Sequence, residues 1–204
     1  PEVREAMLPY LGEEFGNPNS LYELGRRARR AVEAAREQVA AYLNADPSEI
    51  IFTGGGSEAD NMAIKGAAYA RKSRGNHIIT SRIEHHAVLH ACEALEREGF
   101  RVTYLPVDEY GLVSPEQLAE EITDETLLVT IMHANNEVGT IEPIEELGAI
   151  CRERGVLFHT DAVQSFGKVD IDVKQLPIDM LAISAHKFYG PKGVGALWLR
   201  KGVK

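Results

Sequence analysis

The chain has 204 residues, 44% of them hydrophobic, and a formal net charge of −9 at pH 7. These values are ordinary for one large globular domain, and the negative charge argues against a nucleic-acid-binding surface, which needs clustered lysines and arginines. No apolar run approaches the ~20 residues of a membrane-spanning helix, so we expect no membrane partner either. Cys92 and Cys151 lack the spacing of a disulfide framework, which makes a reducing, cytoplasmic location the simpler interpretation.

The predicted elements begin with an amphipathic helix over 21–43, with apolar residues at helical spacing behind a Ser20-x-x-Glu23 capping box. Seven short β-prone runs follow at 50–53, 77–80, 101–107, 127–133, 156–160, 179–184 and 194–200. Helical stretches separate the first five runs, near 58–74, 86–98, 115–122 and 144–154. This alternation predicts an α/β fold whose mostly parallel sheet is covered on both faces. The last two runs have no full helix between them, so they predict an antiparallel pair and a mixed sheet.

The first candidate ligand-binding segment is GGGSEADN, residues 54–61, which follows the first strand-like run and opens a helix. Open α/β sheets bind ligands beyond the carboxyl ends of their strands, and the N–H groups at a helix start favour an anion such as phosphate. The three glycines let the backbone bend around a ligand, and Ser57 adds a hydroxyl. A P-loop is excluded because no Lys-Ser/Thr pair follows the glycines. The alternative is a tight turn with Ser57 as a helix cap.

Polar side chains also follow the second, fourth and fifth strand-like runs. His85 stands at the junction after the second run, Asn135 and Asn136 follow the fourth, and the fifth leads into Asp161 and Gln164. Adjacent amides suit either a ligand oxygen or a turn. Asp161 is equally suited to cap a helix and to direct a charge towards a ligand. These residues are therefore candidates for one site at the sheet edge.

His86 and His90 lie four residues apart, a spacing that places two imidazoles on one helix face as metal ligands. The sequence contains no HExxH motif and no further ligands at the spacing of a tetrahedral site, so we expect no metal. A metal-dependent hydrolase that uses both histidines and Asp161 is an alternative function.

Lys187 follows the sixth strand-like run, within the segment SAHKFYGPKGVGALW. A lysine that Phe188 and Tyr189 shield from water would serve as an amine nucleophile, and lysine Schiff bases belong to carbonyl chemistry. Pyridoxal phosphate carries an aldehyde, a phosphate and a ring nitrogen, which match Lys187, the glycine segment with Ser57, and Asp161. Pyridoxal phosphate is therefore the predicted cofactor, and a solvated loop lysine is the alternative.

Five segments together resemble a known enzyme family. FTGGGSEADNMAIKG, EHHAVL, MHANNEVGT, HTDAVQSFGK and SAHKFYGPKGVGALW, in this order and spacing, resemble the cysteine desulfurases of the NifS/IscS type, which share the class V aminotransferase fold. The resemblance spans essentially all 204 residues. It implies a three-layer large domain like that of other pyridoxal-phosphate transferases, with a mostly parallel mixed sheet.

The resemblance also implies roles for individual residues. Lys187 would form the Schiff base with the cofactor, His85 would stack on the pyridine ring and help to transfer protons, and Asp161 would pair with the ring nitrogen. Gln164 and Asn136 would lie near the phenolic oxygen and the substrate. Four further residues would hold the phosphate: Gly56, Ser57, Ser184 and His186.

The chain departs from this family chiefly in what it lacks. The family usually has threonine at position 57, where Ser57 keeps the hydroxyl. The persulfide-forming cysteine, the arginine that binds the substrate carboxylate, a phosphate contact from the dimer partner and the small C-terminal domain would all lie beyond residue 204. Neither Cys92 nor Cys151 matches the loop of the nucleophile. We therefore expect residues 1–204 to be an incomplete, apparently truncated large domain.

The activity that the resemblance implies is the conversion of L-cysteine to L-alanine. The sulfur would pass to a protein cysteine as a persulfide, for iron–sulfur cluster or thiolation pathways. A homodimer is implied, with a sulfur-acceptor or iron–sulfur scaffold protein as a further partner. The alternatives are a truncated, non-catalytic domain with the pyridoxal-phosphate fold, and another class V aminotransferase or lyase.

Overall fold

The computed structural model describes residues 1–203, which form seven β-strands and six α-helices. The strands are β1 (Ile50–Thr53), β2 (His77–Ser81), β3 (Arg101–Leu105), β4 (Thr126–Thr130), β5 (Leu157–Asp161), β6 (Met180–Ser184) and β7 (Gly195–Leu199). The helices are α1 (Glu2–Met7), α2 (Glu23–Leu43), α3 (Gly56–Arg71), α4 (His86–Arg97), α5 (Pro115–Glu121) and α6 (Ile144–Glu153). Short 3-10 helices cover Leu8–Leu11, Pro47–Glu49 and Ala185–Lys187.

All seven strands form one sheet in the order β1-β7-β6-β5-β4-β2-β3. Five neighbouring strands pair in parallel, in the order β6, β5, β4, β2 and β3. Strand β7 is antiparallel to both of its neighbours, β6 and β1. The predicted mixed sheet and antiparallel final pair are confirmed, because parallel neighbours need a crossover connection and none lies between β6 and β7.

Helices cover both faces of the sheet. Successive strand residues point to opposite faces. Ile78 and Leu128 therefore pack with α3 and α4, whereas Ile79 and Val129 pack with α5, α6 and the end of α2. Full burial of such side chains stabilises the fold by roughly 1.5–3 kcal/mol each. The predicted three-layer α/β architecture is confirmed.

The start of α5 shows how local sequence sets a helix boundary. Ser114 precedes the helix and its Oγ accepts a hydrogen bond from the backbone N–H of Gln117 at 3.2 Å. Pro115 occupies the first helical position, where its missing N–H costs nothing and its fixed φ is already helical. Ser114 and Pro115 therefore set the start of this helix.

The start of α2 differs from the prediction: the Ser20-x-x-Glu23 capping box does not form, so that prediction is wrong. The helix begins one residue after Tyr22, and no side chain caps it. The Glu23 carboxylate instead binds the Arg26 guanidinium at 2.7 Å, one turn along the helix. Leu21, which the apolar spacing placed in the helix, is 87% exposed. An ion pair within the first turn thus uses the carboxylate that the capping box requires.

The apolar face of α2 lies only partly in the core. Ala40 and Leu43 are buried at its end, whereas Val32 lines an open groove beside Tyr10 and Phe15. The groove has a volume of about 860 Å³ and presents mainly apolar side chains. None of the helices in residues 1–203, α2 included, is long and apolar enough to cross a membrane.

Candidate functional site

A cavity of about 200 Å³ opens at the edge of the sheet where the parallel strands have their carboxyl ends. All nine site residues predicted from the sequence line it: Gly56, Ser57, His85, Asn136, Asp161, Gln164, Ser184, His186 and Lys187. Three further residues complete the lining, namely Asp60, Met132 and Val163. The structure therefore brings the predicted residues together, as expected for side chains that follow parallel strands. Their individual roles stay predictions.

The first wall of the cavity is the start of α3. Gly55 is the N-cap residue and no side chain caps this helix, so Ser57 lies within the first turn and the alternative of Ser57 as the cap is wrong. A Cβ atom on Gly56 would lie 2.7 Å from Val163 Cγ2 and 3.2 Å from Ser184 Cβ. Glycine is therefore required for the helix start to approach the neighbouring strand ends. The uncapped N–H groups and the positive end of the helix dipole favour an anion.

Asp161 is the last residue of β5 and is buried against the cavity. Its Oδ1 accepts a hydrogen bond from the backbone N–H of Val163 at 2.9 Å, so it orders the turn that follows as well as facing the cavity. Burial raises the pKa of Asp161, while the Val163 N–H and the charges of His85 and Lys187 act in the opposite direction. A cationic group in the cavity would favour its ionised form.

Asp60 is an acid in the cavity lining that sequence reasoning missed. It is 1% exposed, and its Oδ1 lies 3.6 Å from His159 Nε2, beyond hydrogen-bond distance. Burial, followed by the charge of Asp161, holds the pKa of Asp60 well above its ordinary range. Burial also lowers the pKa of His159 to about 3. Both shifts favour the uncharged forms of Asp60 and His159 over an ion pair.

Lys187 ends the short 3-10 helix Ala185–Lys187, directly after β6. Phe188 anchors this turn, because its ring packs on Phe166 with centroids 4.7 Å apart. The predicted shielding of Lys187 by Tyr189 is wrong, since Tyr189 is 95% exposed. Its left-handed backbone (φ 69°) belongs to a tight turn that directs the side chain into solvent. Lys187 is itself exposed at the residue level and lines the cavity.

Ser184 and His186 flank this lysine turn and contact each other. Ser184 is buried at the end of β6, and its Oγ lies 2.9 Å from Nδ1 of His186, which is exposed. Both residues line the cavity together with the start of α3. A hydroxyl and an imidazole held in this way provide two polar groups beside the uncapped helix start.

His85 is the N-cap residue of α4. Its Nδ1 accepts a hydrogen bond from the backbone N–H of Ala87 at 3.1 Å. This bond assigns the imidazole proton to Nε2, so the neutral ring has one N–H donor left for a ligand.

His86 and His90 are the two histidines on which the alternative of a metal site depends. Both are exposed on α4, with ring centroids 5.3 Å apart. Asp161 lies in the buried wall of the cavity. Residues 1–203 contain no group of three or more His, Cys, Asp or Glu side chains placed to hold a metal ion.

The amides predicted to contact a substrate have further partners beside the cavity. Asn136 Nδ2 donates to Glu137 Oε1 at 2.8 Å. Lys168 Nζ donates to the backbone oxygen of Gln164 at 2.9 Å and lies 3.4 Å from its Oε1. Both side chains therefore have defined orientations at the cavity lining.

Comparisons with known proteins agree with this geometry. The family model of aminotransferase class-V matches residues 1–204. The cysteine desulfurase IscS of Clostridium botulinum strain Hall is 63% identical over 204 residues, which are 100% of this chain and 51% of that protein. The structure of SspA in complex with cysteine is 50% identical, with a TM-score of 0.95 over 98% of this chain and 58% of its own. A NifS-like protein is 45% identical, with a TM-score of 0.96 over 99% of this chain and 56% of its own.

The resemblance read from the five motifs is confirmed by these relatives. The chain spans about half the length of the curated relatives that it matches. Enzymes of the class V family depend on pyridoxal phosphate. Because the family model matches the whole chain and the fold is shared at TM-scores of 0.95 and 0.96, this chain belongs to the aminotransferase class-V family.

Proposed function

We propose that residues 1–204 form the pyridoxal-phosphate-binding large domain of a cysteine desulfurase. This enzyme converts L-cysteine to L-alanine and transfers the sulfur to a protein cysteine as a persulfide. One observation carries the proposal: Lys187, Asp161, His85 and an uncapped helix start all line one cavity. An amine, a buried carboxyl, an imidazole and an anion-binding helix end are the groups that this cofactor requires.

The phosphate end of the cofactor fits the start of α3. Gly56 leaves open a space that any side chain would fill, and the helix lacks a side-chain cap. The proposed ligands are the backbone around Gly56, the Ser57 hydroxyl, and the bonded pair of Ser184 and His186. Several N–H and O–H donors at a helix N-terminus suit a phosphate group. An anion there would also be stabilised by the helix dipole.

The ring end of the cofactor fits Asp161. This buried carboxyl has Val163 N–H as its hydrogen-bond donor, and burial raises its pKa while electrostatic interaction with His85 and Lys187 lowers it. A protonated pyridine nitrogen would supply the cation that a buried carboxylate needs. We propose that Asp161 binds this nitrogen and that His85 contacts the ring.

The chemistry divides between the cofactor and the residues of this chain. Bound pyridoxal phosphate delocalises the electron pair left when the Cα proton of the amino acid is removed. We propose that Lys187 Nζ removes this proton, and that His85 Nε2, which carries the imidazole proton, donates a hydrogen bond. The amides of Asn136 and Gln164 bind and orient the substrate at the cavity lining.

The sulfur-accepting cysteine is neither of the two cysteines in this chain. Cys92 and Cys151 are both buried, and burial raises the pKa of each thiol to about 12. A thiol with such a pKa holds almost no thiolate at neutral pH, and the thiolate is the nucleophile. We propose that the accepting cysteine belongs to the part of the enzyme outside residues 1–204.

The proposed partners follow from the relatives and from the surface. L-cysteine as substrate is supported by the structure of SspA with bound cysteine. A homodimer is supported by the open apolar groove beside α2. A cytoplasmic location is supported by two free thiols, which a reducing compartment preserves. An iron–sulfur scaffold or another sulfur acceptor would receive the persulfide sulfur.

The test is L-alanine production by the full-length protein with pyridoxal phosphate, L-cysteine and a thiol reductant. Lys187→Ala should lower the rate by at least about 1,000-fold, because it removes the group that moves the Cα proton. Lys174→Ala is the matched control, since this exposed lysine lies outside the cavity lining and should keep the wild-type rate. Turnover retained by Lys187→Ala would contradict the proposal. A wild-type protein that binds the cofactor without producing alanine would favour the non-catalytic alternative.

A further inference from the structure

Glu84 is a buried carboxylic acid that the proposed reaction does not use. Its Oε1 accepts hydrogen bonds from Ser81 Oγ at 2.6 Å and from the backbone N–H of Met132 at 2.9 Å. Ser81 ends β2 and Met132 follows β4, the neighbouring strand. A single carboxyl oxygen therefore joins the loops that leave two adjacent strands, and Glu84 directly precedes His85 in the first of them.

Asn135 makes a second connection between the same two loops. Its Nδ2 donates to the backbone oxygen of Ile83 at 3.0 Å. Its Oδ1 accepts the backbone N–H groups of Glu137 and Val138 at 2.8 and 3.0 Å. The loop that contains Asn136 is therefore closed on itself and bound to the loop that contains His85.

His85 depends on this connection for its position. In the described residues, its side chain has one hydrogen bond, from Ala87 within its own helix start. The ring is exposed at the residue level and lines the cavity from the end of the loop. The backbone of that loop therefore sets where the imidazole lies, and Glu84 fixes the backbone one residue before it.

We propose that Glu84 is a positioning residue, which holds His85 and Asn136 at a fixed separation across the cavity by binding the β2 loop to the β4 loop. The inference rests on the proposed function, because it concerns two residues proposed to contact the cofactor and the substrate. Glu84 itself is absent from the cavity lining and acts through these two residues.

We expect Glu84 to be uncharged when it binds the β2 loop to the β4 loop. Burial raises its pKa to about 8, and the charges of Asp161 and Glu142 act in the same direction, against the hydrogen bonds from Ser81 and Met132. Its Oε2 is buried without a hydrogen-bond partner. Glutamine has the same volume, keeps an oxygen for both donors and is neutral, so it should replace Glu84 in this role.

The experiment measures the dissociation constant of pyridoxal phosphate and the visible circular dichroism of the bound cofactor in the full-length protein. Glu84→Gln should stay within about twofold of the wild type in affinity. Glu84→Ala should weaken binding by about tenfold and reduce the dichroism, because two buried donors lose their acceptor. In a His85→Ala background the same change should cost less than about threefold, since only the effect of Glu84 on Asn136 then remains.

Two results would overturn the inference: wild-type affinity and dichroism in Glu84→Ala, or an equal loss with and without His85. If Glu84→Ala does not unfold cooperatively, Asn135→Asp replaces it, because aspartate keeps the Oδ1 acceptor and loses the Nδ2 bonds to the backbone oxygen of Ile83 and to Met132 Sδ. This variant should show the same dependence on His85, and unchanged binding would again overturn the inference. A wild-type protein that binds no cofactor would overturn the proposed function, and this inference with it.

Discussion

Two neighbouring acids at the cavity, Asp161 and Asp60, have different surroundings and therefore different expected charges. Asp161 Oδ1 accepts a hydrogen bond from the Val163 N–H, and electrostatic interaction with His85 and Lys187 favours the ionised form of Asp161. Asp60 has an unpartnered Oδ1, and both burial and the charge of Asp161 oppose its ionisation. We therefore expect Asp161 to carry the negative charge beside a bound cation and Asp60 to keep its proton.

The buried acid Glu84 predicts a dependence of stability on pH. Its folded-state pKa of about 8 lies above the ordinary value of 4.5, so between these values the folded state holds a proton that the unfolded chain releases. The free energy of unfolding should therefore fall as pH rises from 7 to 8, by up to ~1.4 kcal/mol per pH unit from this group. In Glu84→Gln this contribution should disappear, as measured by urea unfolding at each pH.

Other groups with raised pKa values, Asp60 and Glu142 among them, are common to the wild type and Glu84→Gln, so the difference between the two slopes measures the contribution of Glu84. Burial lowers the pKa of His77 to about 4 and that of His159 to about 3, so both are mostly neutral in the folded and unfolded states above pH 7. Glu142, whose pKa burial raises to about 7, is common to all variants. Glu146→Gln, on the exposed side of α6, is the control and should keep the wild-type slope. A slope unchanged in Glu84→Gln would show that Glu84 is ionised in the folded protein.

The sequence predicted which residues would line the cavity, but it did not predict the buried acids behind them. Asp161 directly follows an apolar run and His85 lies at the strand-to-helix junction after another, so the geometry of a parallel sheet brings them to the same edge. Asp60 lies beside the buried Ala59 and three positions before the buried Ala63, and this place on an apolar helix face was the available signal. The burial of Glu84 depends on tertiary contacts with Met132 that no local pattern encodes.

At the scale of elements, the close approach of α3 to the strand ends makes Gly56 a sensitive position. A methyl group there would lie 2.7 Å from Val163 Cγ2 and 3.2 Å from Ser184 Cβ. Gly56→Ala should therefore lower the free energy of unfolding by about 1–3 kcal/mol, as for other overpacked sites. It should also weaken pyridoxal phosphate binding, because the helix start is moved away from the phosphate site.

Gly66 provides the matched control on the same helix. A Cβ atom at Gly66 would meet nothing within 4 Å, and this residue is exposed within α3. Gly66→Ala should therefore stabilise the protein by about 0.5–1 kcal/mol, because alanine is the better helix former. Both free energies can be measured by urea unfolding. Equal effects of the two substitutions would contradict the packing described for Gly56.

The positions of the elements were predicted to within a few residues wherever apolar runs alternate with helical spacing. The run 127–133 was predicted too long, because β4 ends at Thr130 while the chain beyond it remains buried without continuing the strand. Helix α1 was not predicted, and none of its residues is buried, so it gave no periodic signal. The capping box at Ser20 failed because an ion pair of Glu23 with Arg26 competes for the carboxylate.

At the scale of the whole molecule, sheet topology explains why five separate segments form one cavity. Strands β2, β4, β5 and β6 run in parallel, so their carboxyl ends meet at one edge. Because β7 runs antiparallel to β6, the connection between these two strands lies at that same edge. This connection contains Lys187 and faces the start of α3 across the cavity. Sequence patterns predicted the mostly parallel sheet, its antiparallel final pair and site residues after the strands, but not the order of the strands. They did not define the exposed apolar groove beside α2, which depends on how the first residues pack.

The measurement that tests the central claim most directly is chemical labelling of Lys187. The full-length protein is incubated with pyridoxal phosphate and reduced with borohydride, and the modified peptides are mapped by mass spectrometry. We predict one phosphopyridoxyl group per chain, on Lys187, with the exposed Lys174 unmodified. Modification spread over surface lysines, or none at all, would contradict the assignment of this cavity as a pyridoxal phosphate site.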